Sequence, residues 1–139
     1  MEGCVFCAMV AGKIPVAKIY EDDVVLAFLD IGPLSDGHTL LIPKQHVTKV
    51  HECKPELLAQ VASHLGRVAG AVAGAMKSDG YNILCNNGRA AGQVVDHLHF
   101  HIIPRRSGDR VFTEWPAYKY EKGKIEDLAS MIRDKLAGA

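Results

Sequence analysis

Apolar positions recur along this chain with two different periods. From Pro55 onward Leu58, Val61, Ala62, Leu65, Ala69, Val72, Ala73 and Met76 return every three or four residues, the spacing of one helix face, and Pro55 suits a first turn. Gly66, Gly70 and Gly74 fall four apart along one side of that helix. Gln60, His64 and Arg67 argue against a membrane setting, so the glycines are expected to form a smooth side against a sheet or a partner helix. Elsewhere the pattern is that of strands: 16–20 and 24–29, joined at Glu21-Asp22-Asp23, then 39–42, 81–86 and 97–103, the last closed by Pro104. Residues 7–13 predict a short helix stopped by the Gly12 to Pro15 punctuation, and 125–136 a terminal helix with Leu128, Ile132 and Leu136 in register. Strands joined by short turns, with helices grouped rather than alternating, predict one α+β domain over 1–139 with an antiparallel sheet.

Charge removes some classes of function. Sixteen basic residues balance sixteen acidic ones, which leaves no field for gripping nucleic acid or an anionic membrane. Any phosphate chemistry must come from a local site. No secretory pattern and no apolar run of membrane-spanning length is present in the sequence, so a cytoplasmic protein is expected. A disulfide framework is not expected there. Cys53 and Cys85 read as small buried apolar residues, and the Cys4-Val-Phe-Cys7 pair needs another reading.

Three of the seven histidines lie in His97-Leu98-His99-Phe100-His101-Ile102-Ile103. On a strand these histidines share one face, with Leu98, Phe100 and Ile102 on the other. The apolar face packs on a core. The histidine face must line a solvated cleft or a metal site, because three unpartnered buried imidazoles would be costly. Residues two apart on a strand are separated by roughly 6.6 Å, which puts His97 and His101 about 13 Å apart at their backbones. With a zinc–nitrogen bond of about 2.0 Å, one ion takes a neighbouring pair but hardly all three. At least one histidine is left for other work.

That heptapeptide resembles the signature of the histidine-triad (HIT) superfamily. Gly12-Lys13-Ile14-Pro15, Tyr20-Glu21-Asp22-Asp23, Ala27-Phe28-Leu29-Asp30-Ile31, the run from Gly37 to His46, and Gly92-Gln93 resemble family segments in order and spacing. The resemblance implies a HIT-like sheet of about five strands with one long helix, a homodimer whose sheets join across a two-fold axis, and a purine nucleotide substrate. It also implies that His99 attacks the α-phosphorus and forms a nucleotidyl-histidine that water hydrolyses, with His101, supported by His38, on the phosphate oxygens and leaving group. A neutral imidazole, with an ordinary pKa of about 6.5, is a competent nucleophile for this. Asp30 resembles the acceptor for the ribose hydroxyls, a task that suits a carboxylate. Phe6, Phe28 and Ile31 match positions that hold the base. Asn86 and the 88–92 loop, with Gly92 and Gln93, offer donors to phosphate. Val94 departs from the purine phosphoramidase branch, where a hydroxyl residue often stands near the leaving group. A nucleoside phosphoramidate hydrolase and a dinucleoside polyphosphate hydrolase both remain open, as does a nucleotide-binding, zinc-stabilised module with little turnover.

By itself Cys4-x-x-Cys7 is a metal ligand pair, a redox motif or coincidence. Some members of the family add His46 and the first triad histidine, His97, which would close a tetrahedral structural zinc site. The βαβ pattern of a thioredoxin-like redox site is absent from the sequence. Trp115-Pro116 resembles a Trp-Pro that reaches the partner's active site in one branch, but a further predicted helix follows it here, so that role is not carried over.

Overall fold

The structure is a computed structural model and describes residues 1–112 and 114–139. Among the described residues five strands form one sheet: β1 Lys18–Glu21, β2 Val25–Leu29, β3 Thr39–Pro43, β4 Gly80–Leu84 and β5 Phe100–Arg105. Their order is β1-β2-β3-β5-β4, and every neighbouring pair is antiparallel. Helix α1 (Val5–Val10) precedes the sheet, α2 (Pro55–Met76) connects β3 to β4, and α3 (Lys124–Ala137) follows it.

The two-residue period of the central strands distributes their side chains between two cores. Val25, Ala27, Leu41 and Ile102 pack with Val61, Val68, Ala69 and Val72 of α2. Leu26, Phe28, Leu40 and Ile42 alternate with them and pack on the opposite side with Phe6, joined by Met9, Val10 and Val16. A strand buried on both faces shows apolar residues without interruption, as 25–28 and 40–42 do. The β1–β2 turn is closed by Asp22, whose carboxylate accepts from the amides of Val24 and Val25, both at 2.8 Å. Those bonds hold the Asp22 carboxyl well below the usual range.

Several expectations shift. The short helix at 7–13 starts earlier, at Val5, because Cys4 caps it: the Cys7 amide donates to the Cys4 Sγ at 3.4 Å. The strand expected at 97–103 begins only at Phe100, where its pairing with β3 starts at Leu41, and runs on through Pro104. His97 and His99 precede it, while the amide of Leu98 donates to Val47. Pro104 fits within the strand because the β3–β5 register ends at Thr39 opposite Ile102, so no ladder partner faces it on that side. Gly66, Gly70 and Gly74 are exposed, and a Cβ on any of them would meet nothing from the rest of the protein within 4 Å, so they do not lie against the sheet. The α3 helix forms as expected, and of its stripe Leu128 is half-buried while Ile132 and Leu136 are exposed.

Gly37 adopts φ +86°, and a Cβ there would meet the Met76 Cγ at 2.5 Å. Gly37→Ala is therefore expected to destabilise the fold by roughly 1–3 kcal/mol, measured by urea denaturation, with the m-value unchanged.

Candidate active site and metal centre

On the α1 side of the sheet a cleft of about 620 Å³ opens between α1, the end of β2 and the start of β5. It is lined by apolar residues of α1 and β2, with Asp30, His99 and His101 as its polar groups. A mostly apolar cavity with a few convergent polar groups is the ordinary form of a small-molecule site. Phe6 meets Phe28 edge-on at 5.6 Å between ring centroids and His99 at 5.2 Å.

The ring protons are assigned by their neighbours. The Nδ1 of His99 lies 2.6 Å from the carbonyl oxygen of His97. A carbonyl only accepts, so Nδ1 carries the hydrogen and the neutral ring keeps its lone pair on Nε2. His38 is set the opposite way. The amide of Leu34 donates to its Nδ1 at 3.0 Å, which leaves the proton of the neutral ring on Nε2. That Nε2–H donates to the Nδ1 of His101 at 2.8 Å, so a neutral His101 carries its proton on Nε2. Burial pushes His101 down to about 4, helped by His99 and His38, and burial also lowers His38. Both rings are therefore neutral near pH 7. Asp30 accepts from the Gly32 amide through Oδ1 at 2.8 Å, while its Oδ2 stands 3.7 Å from the His38 Nε2.

A second cluster lies beside the first. The ligand atoms of Cys4, Cys7, His46 and His97 all fall within 4.8 Å of one another. The His97 Nδ1 is 3.5 Å from the Cys4 Sγ and 3.6 Å from the Cys7 Sγ, and the His46 Nδ1 is 3.4 Å from the Cys7 Sγ. Zinc bonds of about 2.3 Å to sulfur and 2.0 Å to nitrogen, opened at the tetrahedral angle, require sulfur–nitrogen edges of about 3.5 Å. The four residues fit such an ion. His97 is also in the correct tautomer, because its Nε2–H donates to the carbonyl of Pro43 at 2.8 Å and leaves Nδ1 free to ligate. Burial pushes the Cys4 thiol up, against the Cys7 amide that donates to it, and a cation between the sulfurs would favour the thiolate.

The sequence matches the family model described as the HIT domain over residues 11–108. The chain belongs to the HIT family. Among its HIT relatives is the adenosine 5′-monophosphoramidase hnt1 of Schizosaccharomyces pombe, 42% identical over 134 residues, 96% of this chain and 98% of that one. Among solved HIT-fold structures, SMU.412c from Streptococcus mutans UA159 superposes with a TM-score of 0.93 at 40% identity, covering 98% of this chain and 87% of that one. A zinc-bound histidine triad family protein from Mycobacterium smegmatis superposes at 0.75 with 40% identity, covering 96% and 97%.

Of the residues singled out in the HIT sequence, Phe6, Phe28, Asp30, Ile31, Gly92, His99 and His101 line the cleft. His38 stands behind His101, and Ile31 is almost fully exposed at the rim. Asn86 and Gln93 are not in the lining. Asn86 donates to the Gly92 carbonyl at 3.4 Å. The buried Gln93 accepts from the Gly88 amide and donates to the Thr48 carbonyl, both at 2.8 Å, and so clamps the 88–93 loop to the segment after β3. Val94, also in the lining, is 78% exposed. Sequence reasoning missed Met9, Ile14, Val16 and Leu40 in the lining. It also missed the Leu34 amide, which has no side-chain signature.

Because folded His101 resists protonation below its ordinary value of 6.5, the unfolded chain binds more protons between about pH 6.5 and 4. Its contribution to stability is complete above pH 6.5 and is lost as pH falls towards 4. Denaturant melts across this range are expected to show a shallower acid loss in His101→Gln than in wild type.

Proposed function

We propose that this protein is a hydrolase or nucleotidyl transferase acting at the α-phosphate of a purine nucleotide through a covalent nucleotidyl-His99 intermediate. The observation that carries this reading is the bond from His99 Nδ1 to the His97 carbonyl, which leaves the Nε2 lone pair as the nucleophile. His99 Nε2 forms the bond to phosphorus as the bond to the leaving group breaks. His101 is the proton donor for the departing atom, since the Leu34–His38 chain puts its proton on Nε2. Water then attacks the phosphorus as the Nε2–phosphorus bond breaks, its proton returning to His101, which releases the nucleoside monophosphate and restores both histidines. Asp30 accepts from the ribose hydroxyls and the apolar end of the cleft, with Phe6, Phe28 and Ile31, holds the base. Asn86, Gly92 and Gln93 shape the phosphate end through the clamped loop. The relative named as an adenosine 5′-monophosphoramidase supports this class of reaction.

Val94 favours a second reading. Valine offers no hydrogen bond to an amine leaving group, whereas a phosphate leaving group needs less protonation, as in a dinucleoside polyphosphate hydrolase. Comparing nucleoside phosphoramidates with dinucleoside polyphosphates separates the two.

Zinc is the ion we assign to Cys4, Cys7, His46 and His97. With four protein donors and no open position it supplies a cross-link and no reaction step. Two copies are expected to associate through the β4 edge, where Tyr81 and Ile83 are exposed, with the bare glycine side of α2 and the uncovered apolar residues of α3 available to the partner. Among the described residues no helix is long and apolar enough to cross a membrane, and a thiolate–zinc site suits the reducing cytoplasm.

His99→Ala is expected to lower turnover by at least about 10³-fold while nucleotide binding survives. Wild type quenched during turnover should carry radiolabelled nucleotide covalently and the variant none. Binding without any covalent label in wild type would instead favour the module with little turnover.

Asp30→Ala should chiefly weaken binding. A 2′,3′-dideoxy nucleotide should lose a similar factor in wild type and little more in the variant. Simple addition of the two losses would separate Asp30 from the ribose.

A further inference from the structure

The short helix α1 is held to the rest of the protein by two kinds of contact. Its backbone hydrogen bonds are all local, closing within residues 1–13. Among the described residues, its polar side-chain contacts to another part of the chain are those of Cys4, its cap, and Cys7 with His46 and His97. The remaining attachment is apolar, through Phe6, Met9 and Val10. A helix of six residues is far too short to persist without such anchors. Phe6 lies between the two cysteines in sequence, and Phe6 and Met9 line the cleft. The same helix therefore carries half of the metal donors and a wall of the cavity.

The hydrogen bonds that secure the groups at the other end of the cleft come from outside α1, whose contact there is the edge-on packing of Phe6 on His99. His99 is held by the His97 carbonyl, and His97 by the carbonyl of Pro43. His101 is held through His38 by the Leu34 amide, and Asp30 by the Gly32 amide. None of these bonds passes through the cysteines.

We propose that the metal centre sets the affinity of the cleft for the nucleoside base, by clamping the helix whose Phe6 and Met9 form the base wall. This rests on the nucleotide reading above. With the metal bound, the wall is ordered before the base arrives. Without it, base binding must also order α1, and affinity falls by that cost. The ribose and phosphate, which meet Asp30, His99 and His101, do not incur it. Such coupling is reciprocal, so a ligand that packs on the wall must tighten the metal by the same factor.

The test uses two probes, 5′-AMP and ribose 5-phosphate, which lacks the base. On metal-loaded protein, whose metal content is fixed by elemental analysis, zinc affinity is measured by chelator competition with and without each saturating probe. AMP is expected to tighten zinc on the order of tenfold, and ribose 5-phosphate by less than about twofold. Hydrogen exchange of the α1 amides should accelerate on metal removal, more than that of β5. Met9→Ala leaves every ligand in place, so it should keep the metal content yet bind AMP several-fold more weakly and show a smaller AMP effect on zinc. Equal tightening by both probes would overturn the proposal, placing the coupling in the histidine segment, and no tightening by either would overturn it as well. If neither probe binds the metal-loaded protein, the nucleotide reading itself falls, and this proposal with it.

Discussion

The chemistry available in the cleft depends on one constraint: each of its imidazoles has a ring nitrogen committed to the backbone or to another ring. The carbonyls of Pro43 and His97 accept hydrogen bonds from His97 and His99, and the Leu34 amide donates one to His38. A neutral imidazole has one proton for two nitrogens, so each commitment dictates the character of the other atom. His97 is left with a free Nδ1 beside the cysteines, His99 with its lone pair on Nε2, and His101 with its proton on Nε2. Three copies of one residue type thus acquire three different chemistries. The alternating sequence supplies their spacing, and the backbone around them supplies their tautomers.

That division explains what could be read in advance. The sheet was legible at β2 and β3 because residues buried on both faces leave an unbroken apolar run, and α2 because its stripe is long and regular. The separation of His97 from His101 followed from strand rise alone, and the two histidines fall in separate clusters as expected. The start of β5 was not legible, because the alternation of histidines with Leu98 and Phe100 continues past the point where β3 stops offering a partner. Nor was the cap of α1, where a thiol does the work usually given to Ser or Asp. Gln93 was noticed for its place beside Gly92, but its clamp onto Thr48 joins residues 45 apart and leaves no local trace. For α3 the periodicity was right, but an apolar stripe does not say which surface covers it, and within this chain its residues stay largely exposed.

The metal centre and the cleft share neighbouring residues without sharing side-chain atoms. His97 faces the cysteines while its carbonyl orients His99, and Phe6 touches both rings, at 5.8 and 5.2 Å between centroids. An ion held by these four donors would fix the neighbours of His99 without touching its ring.

The alternation of side chains across the central strands has a consequence for how such a protein can change. Val25, Ala27 and Leu41 belong wholly to the α2 side, while Leu26, Phe28 and Leu40 belong to the side that bears the cleft. Phe28 and Leu40 line the cleft, so substitutions there would reshape it while leaving the α2 core as an undisturbed chassis. The same parity gives a protein engineer a rule for where a stabilising library can be spread without touching specificity.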